Sequence, residues 1–330
     1  MACDWFCVQQ AVSLAFYCIG IPFYVVFLAA LWRGRRTDER LRASFFAICL
    51  SLGASDLQAA LHNWLLSRPR LLGLAFHFYA RLDPLAAQLT LSMAFQLTTT
   101  QFLGVALLSA NRFTAIVLPN MHSDARTIVF GNFDNSPPEC QLSIWSDTTL
   151  KWLFAIQWVA PTLGFIVGFT PFADCAYERV ANSTAVRFVF YNPYIGLMFG
   201  SLGVFTVVCC VVTFVLYALM VGRVLTTRSD RLQWVELKLA CSGLVIFLQA
   251  AGLAYTLLEM LTSGDFDTAI AAWYYATMDL LCLVNPFAVT ALSLPARAQV
   301  ARLIGCAGAS HKTTATAVGV TTAAPTPNRS

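Results

Sequence analysis

The fold class the sequence predicts is all-α: an integral membrane bundle of seven spanning helices. Three observations carry it: a composition too poor in charge for a water-facing surface, seven apolar runs of spanning length, and a one-sided distribution of lysine and arginine. Of 330 residues, 58% are apolar and 12% charged, whereas soluble domains carry about a quarter charged residues. That balance excludes a soluble enzyme, a disordered chain and a small secreted scaffold.

A helix needs about 20 mostly apolar residues to cross a hydrocarbon core of about 30 Å. The runs are Ala11 to Trp32, Ala43 to Leu66, Leu85 to Ala110, Trp152 to Phe172, Pro193 to Val221, Leu239 to Leu261 and Ala269 to Leu294, and their only formal charges are Asp56, Glu259 and Asp279. Residues 1–10 hold no Lys or Arg, so the first run lacks the basic region of a signal peptide and is expected to be a span behind a short extracellular N-terminus. Orientation follows from the basic residues on alternate connections. Sixteen of the 21 fall in 33–42, 111–151, 222–238 and beyond 294, against Arg68, Arg70, Arg81, Arg179 and Arg187 on the other side. The N-terminus is therefore expected outside and the C-terminus inside. The net charge of +4 mostly reflects this asymmetry and points to anionic inner-leaflet lipid, not to nucleic acid.

The two sides carry different chemistry. Asn182-Ser183-Thr184 is a glycosylation sequon on an outer loop; Asn328 heads a second one in the cytosolic tail, where it would stay bare. Cys3, Cys7 and Cys175 are expected on the oxidising side with one disulfide among them, whereas the cysteines within spans pack as small apolar residues. No cysteine or histidine spacing suits a metal, and no cofactor is expected. Residues 295–306 place Val300, Leu303 and Ile304 against Arg297 and Arg302 at helical spacing, which predicts an amphipathic helix on the inner leaflet with Cys306 as a palmitoylation candidate. Residues 307–330, rich in Thr, Ala and Pro, are expected to form a disordered cytosolic tail.

Polar groups inside the bilayer are costly and mark function. Counting from the inner helix ends at 1.5 Å per residue puts Asp56 roughly 20 Å deep and Asp279 roughly 22 Å deep. At that shared depth the two acids either face each other, sharing a proton or a small cation, or bond separately to polar neighbours. Gln88, Ser92 and Gln96 recur every fourth residue on one face of the third span. Gly164 and Gly168, and Gly196 and Gly200, have the spacing that lets helices approach closely. The third span ends in Ser109-Ala110-Asn111-Arg112-Phe113, and the seventh contains Asn285-Pro286, where proline frees a carbonyl that the asparagine can bond.

Seven spans, an arginine ending the third, an aspartate in the second and an Asn-Pro in the seventh resemble a G-protein-coupled receptor. Gln101-Phe102-Leu103-Gly104-Val105 leading into Leu108 to Pro119, with Gln157-Trp158-Val159-Ala160-Pro161, Ser55-Asp56 and Asn285-Pro286, is similar to the nematode serpentine chemoreceptors of the gamma superfamily, particularly the V class. The resemblance runs from the first span to Pro295. It implies an orphan chemosensory receptor on the plasma membrane of ciliated sensory endings, binding a small molecule and activating a heterotrimeric G protein. Asn111, Arg112 and Phe113 match the general receptor switch, with Asn111 in place of the acid and Phe113 in place of tyrosine. Asn285 and Pro286 match the seventh-span motif, with Val289 in place of its tyrosine. The sixth span has no proline, and no cysteine starts the third, so Cys175 lacks the usual partner. Residues 124–143 read as an insertion, either an interaction loop or a gene-model error.

A receptor needs a pocket in the outer half of the bundle. Gln88, Ser92 and Gln96 of the third span, Tyr255 and Glu259 of the sixth, and Trp273 and Tyr274 of the seventh are placed there. The alternative is a proton- or sodium-coupled transporter using Asp56 and Asp279; such folds are commonly built from internal repeats, and none is evident. No HExxH or GxSxG arrangement is present, so an enzyme is not expected.

Overall fold

The structure, a computed structural model, describes residues 2–72, 76–79, 81–118, 144–172, 174–179, 186–191, 194–226, 247–256, 258–259 and 268–305. The sequon at Asn182, the insertion at 124–143, Cys306 and the tail lie outside the described residues, as do the side chains of Cys3 and Cys7. Helix α1 spans Ala2–Thr37, α2 Ser44–His62, α3 Pro84–Val117, α4 Asp147–Pro161 and α5 Tyr194–Thr226. Of α6, residues 247–256 are described as helical; α7 spans Thr268–Leu292 and α8 Leu294–Ile304. Strands β1 (Cys175–Arg179) and β2 (Val186–Phe190) form an antiparallel hairpin pairing Cys175 with Phe190 and Arg179 with Val186.

Among the described residues six helices are long and apolar enough to cross a membrane. Of the expected sixth span, 239–246, 257 and 260–261 lie outside the described residues. Local chemistry sets several helix starts. Asp83 accepts a hydrogen bond from the Leu85 amide at 3.0 Å ahead of Pro84, Ser146 accepts one from Thr149 at 3.2 Å, and Ser293 caps α8 through Ala296 at 3.4 Å. Such caps satisfy amides that have no intrahelical partner. Gly305 ends α8 in the left-handed conformation at φ 77°, which glycine adopts without steric cost.

Helix α3 is central, packing on α2, α4 and α5, while α1 packs on α2, α7 and α8. Gly104 makes the first junction close: a Cβ there would lie 2.7 Å from Gln157 Nε2 and 2.8 Å from Leu52 Cδ1. Gly164, Gly196 and Gly200 have no such neighbour within 4 Å among the described residues, and Gly168 meets only the Leu163 carbonyl at 3.4 Å. The expectation that these pairs join helices within the chain is therefore corrected. Both pairs lie toward the lipid-facing side, on α5 and on the π-helical stretch Thr162–Phe169 that continues α4, where Leu163, Val167, Leu197, Val204 and Val211 are also exposed.

The first helix is longer than its apolar run. It includes residues 2–10, and the segment expected to be a short extracellular N-terminus contributes buried Gln10. Helix α2 also continues past the expected end at Leu66. A wide π turn over Asn63–Ser67, closed by the Arg68 amide on the Asn63 carbonyl, leads into a helical turn at Arg68–Leu71. The extra residue in that turn shifts the helical register, which brings Arg68 and Arg70 inside the bundle. Their assignment to an exposed loop is thus revised.

Candidate functional site

Three polar clusters are spaced along the bundle. The first lies at the end that carries the β hairpin. Asp279 of α7, 4% exposed, accepts hydrogen bonds from Ser13 Oγ at 2.9 Å and Tyr17 OH at 2.5 Å, and pairs with the Arg68 guanidinium. Arg68 is 1% exposed, and its Nη1 donates to Gln10 Oε1 at 2.6 Å. Its guanidinium lies within 5.9 Å of the ring centroids of Tyr17, Trp64 and Tyr275; Tyr17 and Trp64 are themselves stacked at 5.2 Å. The pair joins α1, the extension of α2, and α7. Tyr79 donates to the Leu66 carbonyl at 2.8 Å, satisfying backbone near the π turn.

The second cluster is centred on Asp56 of α2, 1% exposed. Its carboxylate accepts from Tyr24 OH at 2.7 Å, Gln101 Nε2 at 2.8 Å and Asn285 Nδ2 at 3.2 Å. One acid thereby joins α1, α2, α3 and α7. Gln101 Oε1 and Asn285 Oδ1 are buried without a partner among the described residues. Asn285 donates to Asp56 and not to the carbonyl freed by Pro286, which corrects that expectation. Among the described residues Asp56 and Asp279 share no hydrogen-bond partner, and each has its own donors, so the separately bonded arrangement forms in place of the face-to-face carboxylate pair. A deeper rung ties α2, α3 and α4: Gln157 accepts from Ser51 Oγ at 2.9 Å and donates to the Thr100 carbonyl at 3.3 Å, and Trp158 donates to Ser51 at 3.0 Å.

The third cluster lies at the opposite end of α3. Asn111 Nδ2 donates to Ser44 Oγ at 2.9 Å, the Arg112 guanidinium lies 3.3 Å from the Phe45 ring centroid, and Trp145 Nε1 donates to Thr114 Oγ1 at 2.6 Å. Tyr217 of α5 hydrogen-bonds Ser109. Phe113 is half-buried beside them. At the foot of α7, Arg297 of α8 donates to the Thr290 carbonyl at 3.4 Å and also to that of Ala291, holding carbonyls at the helix C-terminus.

The seven residues assigned to the pocket do not all face one space. Ser92 is buried with its hydroxyl unpartnered among the described residues. Gln96 donates to Thr100 Oγ1 at 3.3 Å, Gln88 is half-buried, and the half-buried Tyr274 hydrogen-bonds Thr98. Tyr255 and Trp273 are 63% and 62% exposed, on the outer surface of the bundle, where amphipathic rings near span ends suit the lipid interface. Glu259 bonds Tyr255 and goes with it. Cys175 is a free thiol, buried in the hairpin and pushed up to about 11 by that burial, so it takes no part in the one disulfide expected among Cys3, Cys7 and Cys175; the side chains of the other two lie outside the described residues.

Arg68, Tyr17 and Tyr24 were not singled out from the sequence. The available signal was the cost of an unpaired mid-membrane acid, which demands a donor; Arg68 stands two residues beyond the apolar run.

A family model described as serpentine type 7TM GPCR chemoreceptor Srv matches residues 13–128 and 136–306. Within the suspected insertion, only 129–135 falls outside that match. No curated protein matches the chain.

Proposed function

This chain belongs to the Srv family of serpentine seven-transmembrane chemoreceptors, and we propose that it binds a small-molecule cue at the hairpin end and passes the signal through Asp56 to Arg112, which engages a heterotrimeric G protein. Membership makes it a multi-pass membrane chemosensory receptor with the seven-helix fold of G-protein-coupled receptors. The ligand and coupling assignments are the proposal.

The observation that carries it is the four-helix junction at Asp56. Helix α7 bears Tyr274, Asp279 and Asn285 in sequence, so one rigid element runs from the Ser92, Gln96 and Tyr274 region to the junction. Helix α3 bears Gln101 of that junction and Arg112 at its far end. A ligand that moves α7 against α3 therefore acts on both ends of the same network. Ser92, whose hydroxyl has no partner among the described residues, and Gln96 offer hydrogen bonds to the ligand, and Gln88 lies further toward the hairpin on the same face.

The orientation belongs to the same proposal. Burial of Arg68 and Arg70 leaves Arg81, Arg179 and Arg187 as the loop cations on the hairpin side, which sharpens the bias that puts the Arg112 end in the cytosol. Glycosylation of Asn182, palmitoylation of Cys306 and a place in the sensory cilium follow from that orientation and from the receptor role. Contact of α8 with inner-leaflet lipid does so too.

The test is guanine-nucleotide exchange in cells expressing the receptor, challenged with a panel of small volatile and water-soluble compounds. Stimulated exchange is expected in the wild type and lost in Arg112→Ala with surface expression kept; unchanged signalling in that variant removes Arg112 as the switch. A glycosidase-sensitive band shift is expected to vanish in Asn182→Gln and persist in Asn328→Gln; the reverse pattern inverts the topology.

A further inference from the structure

Two neighbouring residues at the start of α2 hold two neighbouring residues near the end of α3. Ser44 takes the Asn111 amide at 2.9 Å, and the Phe45 ring lies against the Arg112 guanidinium at 3.3 Å. An acid beside Arg112 could restrain it by ion pairing, but Asn111 has no charge and its amide is already engaged. Among the described residues Arg112 makes no salt bridge. A guanidinium face on an aromatic ring is an attractive contact that strengthens as water is excluded.

The ring is held in place. Phe45 is buried and braced edge-on by Phe46 at 4.9 Å and 74°. The carbonyl of Ala43, two residues earlier, accepts from Arg35 Nη1 at 3.1 Å, which fastens the start of α2 to the end of α1. Phe45 is thus a fixed point and Arg112 the longer, more mobile side chain.

The spacing links this contact to the Asp56 junction. Phe45 and Asp56 are eleven residues apart on α2, and Gln101 and Arg112 are eleven apart on α3. Eleven residues make about three turns at 3.6 residues per turn, so both contacts lie on one seam between the two antiparallel helices. A slip or rotation of α3 against α2 that disturbs Gln101 on Asp56 also disturbs Arg112 on Phe45.

We infer that Phe45 is a positioning residue for Arg112: its ring keeps the guanidinium against α2 and withdrawn from a partner until the α2–α3 seam shifts. The inference rests on the reading of Arg112 as the residue that meets the G protein.

Two measurements on the full-length receptor in membranes test it. One is the rate at which phenylglyoxal, an arginine reagent, modifies Arg112, followed by peptide mass spectrometry; the other is ligand-independent nucleotide exchange on a co-expressed G protein. In Phe45→Leu both are expected to rise about five-fold, as loss of one such contact implies. Phe45→Tyr, which keeps a ring, restores both to the wild-type level. Equal behaviour of the Leu and Tyr variants overturns the inference. Should Phe45→Leu fail to reach the membrane, Phe45→Trp decides: its stronger ring is expected to slow modification below the wild type, and no slowing overturns the proposal. If modification follows the ring while exchange stays flat in every variant, Arg112→Ala included, the positioning role stands and the G-protein assignment of Arg112 fails.

Discussion

Asp56 and Asp279 are the same residue type, both inside spanning helices and both buried, yet their surroundings solve the burial problem differently. Asp279 is neutralised by a cation, with Arg68 brought in by the π turn of α2 and enclosed by Tyr17, Trp64 and Tyr275. Among the described residues Asp56 meets no cation and is held by three donors, Tyr24, Gln101 and Asn285. A buried ion pair depends on both members, because either one left alone is an uncompensated charge. A carboxylate held by neutral donors can lose its charge and keep much of its bonding, because an amide still offers an acceptor. The first cluster is therefore a rigid joint and the second one adaptable, which suits an anchor near the hairpin and a relay in the middle of the bundle.

The largest effect expected from this contrast is at Arg68. Arg68→Leu strands the Asp279 carboxylate and should destabilise the receptor by about 3–5 kcal/mol, measured as lost thermostability in detergent and lost surface expression. Arg68→Leu combined with Asp279→Leu should recover most of that loss. If the double variant is as unstable as the single one, the pair is not the joint described here.

Asparagine substitution sharpens the difference. Asp279→Asn leaves Arg68 buried without its counter-charge and should again cost about 3–5 kcal/mol. Asp56→Asn keeps one acceptor oxygen, and its new amide can donate to the unpartnered Gln101 Oε1 or Asn285 Oδ1, so the cost should be about 1 kcal/mol or less. Equal losses would break the comparison.

Single hydroxyls are expected to fall between the cost of Asp279→Asn and that of Asp56→Asn. Tyr24→Phe removes a charge-assisted hydrogen bond to Asp56 worth about 1.5–3 kcal/mol. Tyr17→Phe should cost less than Tyr24→Phe, because Asp279 keeps Arg68 and Ser13 while Asp56 keeps only two amides. A thermal melt of the two variants side by side reads the order.

Much of the fold was legible because membrane helices announce themselves by apolar length, and the Asn111-Arg112-Phe113 block and Asn285-Pro286 carry a recognisable pattern. The site was legible only as residue types. Depth counting brought Asp56 and Asp279 to one level but could not say which way either faces, and the two turned out to have separate partners. Tyr255 and Trp273 illustrate the same limit, since aromatic residues near span ends serve a pocket or a lipid interface equally well by composition. Arg68 was hidden because two polar residues beyond an apolar run look like a loop. Only the π turn at Asn63–Ser67, whose extra residue has no clear signature in sequence, carries Arg68 inward.

The sequence by itself determined that this chain is a helical membrane bundle and which chemoreceptor family it resembles, because those properties follow from hydropathy and local motif. The tertiary structure decided who meets whom. Asp279 meets Arg68, Asp56 meets Gln101 and Asn285, and Arg112 meets Phe45, because buried polar groups must find partners across helix seams. The rotation and register of those seams are set by packing at positions such as Gly104 and by one irregular turn, not by the order of residues along any single helix.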